Sequence, residues 1–344
     1  MMVDSFDSDI HNLNPECFEF RSCHLVRVLQ KDYQKRVCHT MVTISQNDST
    51  GASFEPFPIT TSLSDAAREV LKHSFAIYKV PSRTAKKIQV SWCEAVQVLN
   101  DPAPSDCRRI IDGNLHGYNV PSSSKRLFRA FCAVPGQPWP NEKFRKASIN
   151  VATELHQILV QCCSLIEKNL ILQSSKKRLH SSYSSTQPKS TSPSTEQEDF
   201  QPLRKRQKVS SYSGSRFESI PPTIYDTTIS PLDFFLYHNK NSSSVNCSEH
   251  VDRGVLICVC LTKIPGLEVS PRGSEDFGSR VFVCPEVLVH NANLYKESDS
   301  CSDLICIMAG DQLSKLTGYQ IACVHKVRNN LKSARLSISY ELRV

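Results

Sequence analysis

None of the 15 cysteines of this 344-residue chain forms a CxxC pair. Cys247 and His250 do have a C-x-x-H spacing, but no second pair completes a zinc site, so structural zinc is a weak reading. The opening residues, MMVDSFDSDI, are acidic and lack the apolar stretch of a secretory signal. No run approaches the roughly 18 apolar residues that a membrane helix needs. These absences lead us to expect a soluble intracellular protein, in the nucleus and/or the cytoplasm, with reduced thiols rather than a disulfide scaffold. Cys258 and Cys260, alternating in an apolar run, then read as buried free cysteines. No internal repeat is apparent.

A broad basic face is also missing, despite a net charge of +7. Residues 174 to 217 hold nine basic and three acidic side chains, a surplus of +6 that leaves +1 for all the rest. A nucleic-acid partner is therefore not expected. The same segment has 16 Ser or Thr among 44 positions and few apolar residues, a composition that cannot offset ordering entropy. We expect it to be a disordered linker. Its clusters KKRLH (176–180) and RKRQK (204–208) could be solvated linker charge or could engage a nuclear import receptor.

Periodicity separates what flanks the linker. Before it, Phe144, Ala147, Val151, Leu155, Ile158, Leu159, Cys162, Leu165, Ile166 and Leu170 recur at helical steps, with Asn141 placed as N-cap. A helix this long with one apolar stripe should pack along a sheet or barrel. Residues 63–81 read as a helix leading to a strand, and 120–141 as irregular rim structure. After the linker the period falls to two. Candidate strands are 233–238, 254–261, 266–269, 280–290, 303–308, 319–327 and 334–342. The organisation expected is an N-terminal helical and strand region (1–173), a basic Ser-rich linker (174–222) and a β core (223–344).

Several polar residues fall at suggestive places in that core. His250 and Asp252 are two apart, so an extended chain projects both from one face. A Gly310-Asp311 turn precedes the segment carrying His325, and Arg335 and Ser337 share one face of the last strand. Taken singly, each has an ordinary reading. A His-x-Asp arises by chance, His325 among Ile321, Cys323 and Val327 reads as a core histidine, and Arg335 with Ser337 reads as a solvent face.

Their order, however, resembles the C-terminal half of the isopenicillin N synthase-like Fe(II)/2-oxoglutarate oxygenases of the plant type. The Gly266-Leu267-Glu268-Val269 turn and the Gly310-Asp311-Gln312-Leu313 segment are similar to signatures of that family. The resemblance is specific over about 231–344 and weaker over 65–173. It implies an α+β fold with a mainly β core, a double-stranded β-helix (jelly roll) with a helical N-terminal region and a long supporting helix. It implies that His250, Asp252 and His325 bind Fe(II), a two-histidine, one-carboxylate set that leaves coordination positions open. Arg335 and Ser337 would hold the distal carboxylate of the co-substrate 2-oxoglutarate, with Tyr237 contacting it. The implied partners are O2 and a small-molecule substrate to be hydroxylated or demethylated. A non-catalytic nuclear interaction protein on the same fold is the alternative.

The sequence departs from the family in places. His325 lies 73 positions beyond Asp252, longer than usual, and YHNKNSSS replaces the family's Tyr-Pro-Pro segment. A basic insertion follows the main helix. These changes leave the substrate open.

Overall fold

The structure is a computed structural model and describes residues 57–101, 107–111, 113–183, 228–239, 245–273, 280–291, 303–329 and 333–344. The RKRQK cluster and most of the Ser-rich segment lie outside these residues.

Three helices precede the C-terminal strands in sequence: α1 (Leu63–His73), α2 (Ser82–Asn100) and α3 (Glu142–Tyr183). Asn141 caps α3, its Oδ1 accepting the Phe144 N–H at 2.8 Å. The expected stripe is buried: Phe144, Val151, Leu155, Leu159 and Cys162 are all fully covered. Each aliphatic or aromatic member contributes about 1.5–3 kcal/mol by leaving water. The helix continues to Tyr183, past the start of the Ser-rich segment at Ser174.

The strands are β1 (Ile59–Thr60), β2 (Phe75–Lys79), β3 (Arg108–Ile111), β4 (Asn114–Ser122), β5 (Lys125–Ala130) and β6 (Leu232–Tyr237). They continue with β7 (Val245–His250), β8 (Leu256–Cys260), β9 (Leu267–Val269), β10 (Leu304–Ala309), β11 (His325–Arg328) and β12 (Arg335–Leu342). Nine form one sheet in the order β1-β2-β10-β8-β12-β6-β5-β4-β3, and β7-β11-β9 form a smaller one. Alternation divides the large sheet's side chains. Cys258, Cys260, Ile305, Ile307, Leu336, Ile338 and Leu342 join α1, α2 and α3 in one core. Ile257, Val259, Cys306 and Met308 join Leu267 and Val269 of the small sheet in a second core. The result is a mixed α/β molecule with a large β core, consistent with a jelly roll. Cys258 and Cys260 are free and buried.

Four expectations change. Of 280–290, only Val283 pairs, as an isolated bridge to Val269, while Pro285–Asn291 is a helix, α4. Proline suits the first helical position because it has no N–H to leave unpaired, and the Cys284 carbonyl accepts the Val287 and Leu288 N–H groups. The rim segment contains β5, which joins β4 to β6. Residues 319–324 are not strand, and pairing begins at His325. The Gly-Asp turn opens a short helix, α5 (Asp311–Thr317).

A buried carboxylate ties α3 to α2. Glu154 accepts hydrogen bonds from Arg83 at 2.8 Å, Thr84 at 2.9 Å and Lys87 at 2.5 Å. The Lys87 bond foremost, against the opposing effect of burial, brings its pKa down to about 2. A carboxyl with a depressed folded-state pKa stabilises above its ordinary value of 4.5, and that contribution is lost as pH falls through about 2. Glu154→Gln should lower the melting temperature at pH 7, with the gap to wild type closing between pH 4.5 and 2. A gap that is constant across that range in thermal melts would contradict this linkage.

Candidate metal centre

The small sheet brings the two histidines together. β7 and β11 are antiparallel with His325 directly opposite His250, and β9 places Val269 on His325's other side. Directly opposed residues project to the same face, so the imidazoles meet, with ring centroids 4.2 Å apart. His250 is the last residue of β7, and Asp252 lies just beyond it, so the pair sits at a strand end rather than a strand start.

That segment is pinned from outside. The Asp252 carbonyl accepts the Asp311 N–H at 2.9 Å, and the Val255 carbonyl accepts the Gly310 N–H at 3.0 Å. Here the Gly310-Asp311-Gln312-Leu313 segment finds its physical reason. A Cβ on residue 310 would lie 2.0 Å from the Gly254 carbonyl oxygen, so only glycine permits the approach. The start of α5 thus fixes the height at which Asp252 is presented.

The three side chains converge. Asp252 Oδ1 is 3.5 Å from His250 Nε2 and Oδ2 is 3.3 Å from His325 Nε2. Each imidazole turns its other nitrogen to a backbone carbonyl: His250 Nδ1 to Ser248 at 2.7 Å, and His325 Nδ1 to Cys323 at 3.2 Å. With Nδ1 turned to a carbonyl in this way, both Nε2 atoms face the carboxylate, the orientation in which metal-binding histidines present their ligand nitrogen. Candidate ligand atoms from all three residues lie within 4.8 Å of one another. The donor set fits a divalent ion that accepts nitrogen and oxygen.

The three side chains are also coupled electrostatically. Burial works against ionising Asp252, yet the hydrogen bonds from His250 and His325 outweigh it and hold the carboxyl well below the usual range. The Asp252 bond, helped by Cys247, pushes His250 up to about 10. Cys247 lies 3.8 Å from His250 Nδ1, and this contact lowers its own pKa.

The other expected residues stand on the large sheet. Arg335 and Tyr237 are opposed across β12 and β6, and Lys125 opposes Tyr237 from β5, so the three form one cross-strand row. Ser337 lies two residues along β12 on the same face, opposite Phe235. Arg335, Ser337 and Tyr237 are all buried. Burial pushes the Tyr237 phenol up, keeping it neutral. Gly266 of the GLEV turn again allows a close approach, since a Cβ there would be 2.9 Å from Arg335 Cδ.

One residue escaped the sequence. Glu286, in the first turn of α4, accepts a hydrogen bond from Arg335 Nη2 at 2.8 Å, with both side chains 1% exposed. Nothing in the spacing of Glu286 and Arg335 signals the pair.

No family model matches this chain, and no curated protein matches it. Solved structures do. A 2OG-Fe(II) oxygenase family protein from Caulobacter crescentus is similar at 14% identity, over 84% of this chain and 87% of that one, with a TM-score of 0.53. A full-length Neurospora crassa protein, solved in complex with alpha-KG and 5-formyluracil, is similar at 14% identity over 82% of this chain and 77% of that one, TM-score 0.52. The Arabidopsis thaliana dioxygenase for auxin oxidation 1, bound to 2-oxoglutarate, is similar at 13% identity over 83% and 92%, TM-score 0.51. The chain therefore has the fold of the Fe(II)/2-oxoglutarate oxygenases.

Asp252→Ala should weaken Fe(II) binding by about 100-fold or more, since loss of the groups that merely orient metal ligands already costs ~10–100-fold. Anaerobic calorimetric titration reads this directly. Equal binding by wild type and variant would make His250 and Asp252 ordinary polar residues at a strand end.

Proposed function

We propose that this chain is an Fe(II)- and 2-oxoglutarate-dependent oxygenase acting on a small organic molecule. The observation that carries the reading is the convergence of His250, Asp252 and His325 at the junction of β7 and β11, on a fold shared with such enzymes.

In this reading His250 and His325 would supply two neutral nitrogen ligands and Asp252 one anionic oxygen, a donor set that suits Fe(II). Bound Fe(II) with 2-oxoglutarate would supply oxidative decarboxylation of the keto acid coupled to oxidation of a substrate C–H bond. The chain's own residues do the positioning. Arg335 offers a planar, permanently charged partner for the distal carboxylate, Ser337 a hydroxyl donor, and Tyr237 a neutral phenol beside them. Their burial keeps water from that carboxylate and strengthens each contact.

A small substrate is supported by the solved neighbours, one bound to 5-formyluracil and another named for auxin oxidation. The plant-type, isopenicillin N synthase-like subclass rests on the GLEV, GDQL and Arg-x-Ser matches. The substrate decides between hydroxylation and demethylation. Nuclear localisation rests on the basic clusters alone. The non-catalytic alternative is favoured by no observation among the described residues, and the complete ligand set speaks against it.

Adding Fe(II) and then 2-oxoglutarate to the protein without oxygen should produce a visible charge-transfer band, absent with Fe(II) alone. A folded protein that binds Fe(II) yet gives no band at saturating 2-oxoglutarate would sink the reading.

A further inference from the structure

Arg335 is among the largest fully buried side chains of the protein. Its Nε donates to the Ile264 carbonyl at 3.2 Å and its Nη2 to Glu286 Oε1 at 2.8 Å. The other Glu286 oxygen, Oε2, accepts from the Cys284 thiol at 3.3 Å. Burial drives that thiol's pKa well above its ordinary value, so it remains a donor rather than a competing anion. The carboxylate of Glu286 is thus seated on the guanidinium that the oxygenase reading gives to the co-substrate.

We propose that Glu286 is a resident competitor for the carboxylate site, and that 2-oxoglutarate reaches Arg335 only by displacing it. The inference rests on the oxygenase reading and adds a regulated step to it. A buried guanidinium without a counter-ion is strongly unfavourable, and Glu286 supplies that counter-ion. A second carboxylate placed on the same group would set two anions against one cation in a dry environment, where like charges repel most. The two carboxylates therefore exclude each other. Apparent affinity for 2-oxoglutarate is reduced by the fraction of molecules in which Glu286 has withdrawn. Glu286 in this way sets the keto-acid concentration at which the enzyme switches on.

Glu286→Gln keeps the shape and a hydrogen-bond acceptor while removing the charge. Titrating Fe(II)-loaded, oxygen-free full chain with 2-oxoglutarate, we expect this variant to bind about 10-fold or more tightly than wild type. The gain should vanish in the Glu286→Gln/Arg335→Leu double variant. The ligand-free single variant should melt below wild type and gain more from 2-oxoglutarate than wild type does. If Glu286→Gln does not fold, Glu286→Met, apolar and of similar length, takes its place in the same titration. Equal or weaker binding by the folded variant, with wild-type binding measurable, would overturn the competition and leave the oxygenase reading standing. Fe(II) binding without any 2-oxoglutarate binding, in wild type and variant alike, would overturn both.

Discussion

The pairing of β7 with β11 is the constraint on which the site depends. Because His325 lies directly opposite His250, two residues far apart in sequence present their imidazoles to the same face of a three-stranded sheet. A slip of one residue would turn His325 to the other face and dissolve the site. The register is held from both sides. β9 pairs with β11 through Val269, and the Asp252 segment is clamped by the first residues of α5 through a contact only Gly310 allows.

The large sheet imposes a second order on the same region. Its alternation sends Leu336, Ile338, Tyr340 and Leu342 to the helix-covered core and leaves Arg335 and Ser337 on the opposite face. That face is a poor place for an isolated charge. The row Lys125, Tyr237, Arg335 shows how charge is accommodated there: Lys125 stands over the Phe235 and Tyr237 rings at 4.5 and 5.4 Å, and Arg335 is matched by Glu286. The buried guanidinium and the carboxylate that neutralises it are both supplied by the chain.

Much of this was legible in the sequence where one physical rule dominates. The stripe of α3 and its Asn141 cap follow from helical periodicity and an unpaired N–H, and the Leu336-to-Leu342 alternation follows from the pleat. Tertiary decisions were less visible. The segment Ser82–Asn100 buries Thr84, Ala85, Ser91 and Ala95 beside Ile88 and Leu99, so small and polar residues obscure the helical stripe of α2. The β-branched residues around 281–289 suggest a strand, yet Pro285 and the Cys284 carbonyl start a helix there. The three residues that converge at the small sheet were singled out by a family resemblance, but the partner of Arg335 could not be. Glu286 is brought to it by the packing of α4, which leaves no local pattern.

The proposed oxygenase site would hold its metal with two imidazoles and one carboxylate. X-ray absorption at the iron edge of the Fe(II)-loaded, oxygen-free protein tests it most directly. We expect imidazole scattering from two histidines and nearest neighbours of nitrogen and oxygen only. A sulfur scatterer at roughly 2.3 Å, the distance of a metal thiolate bond, would assign Cys247 in place of one of the three and contradict it.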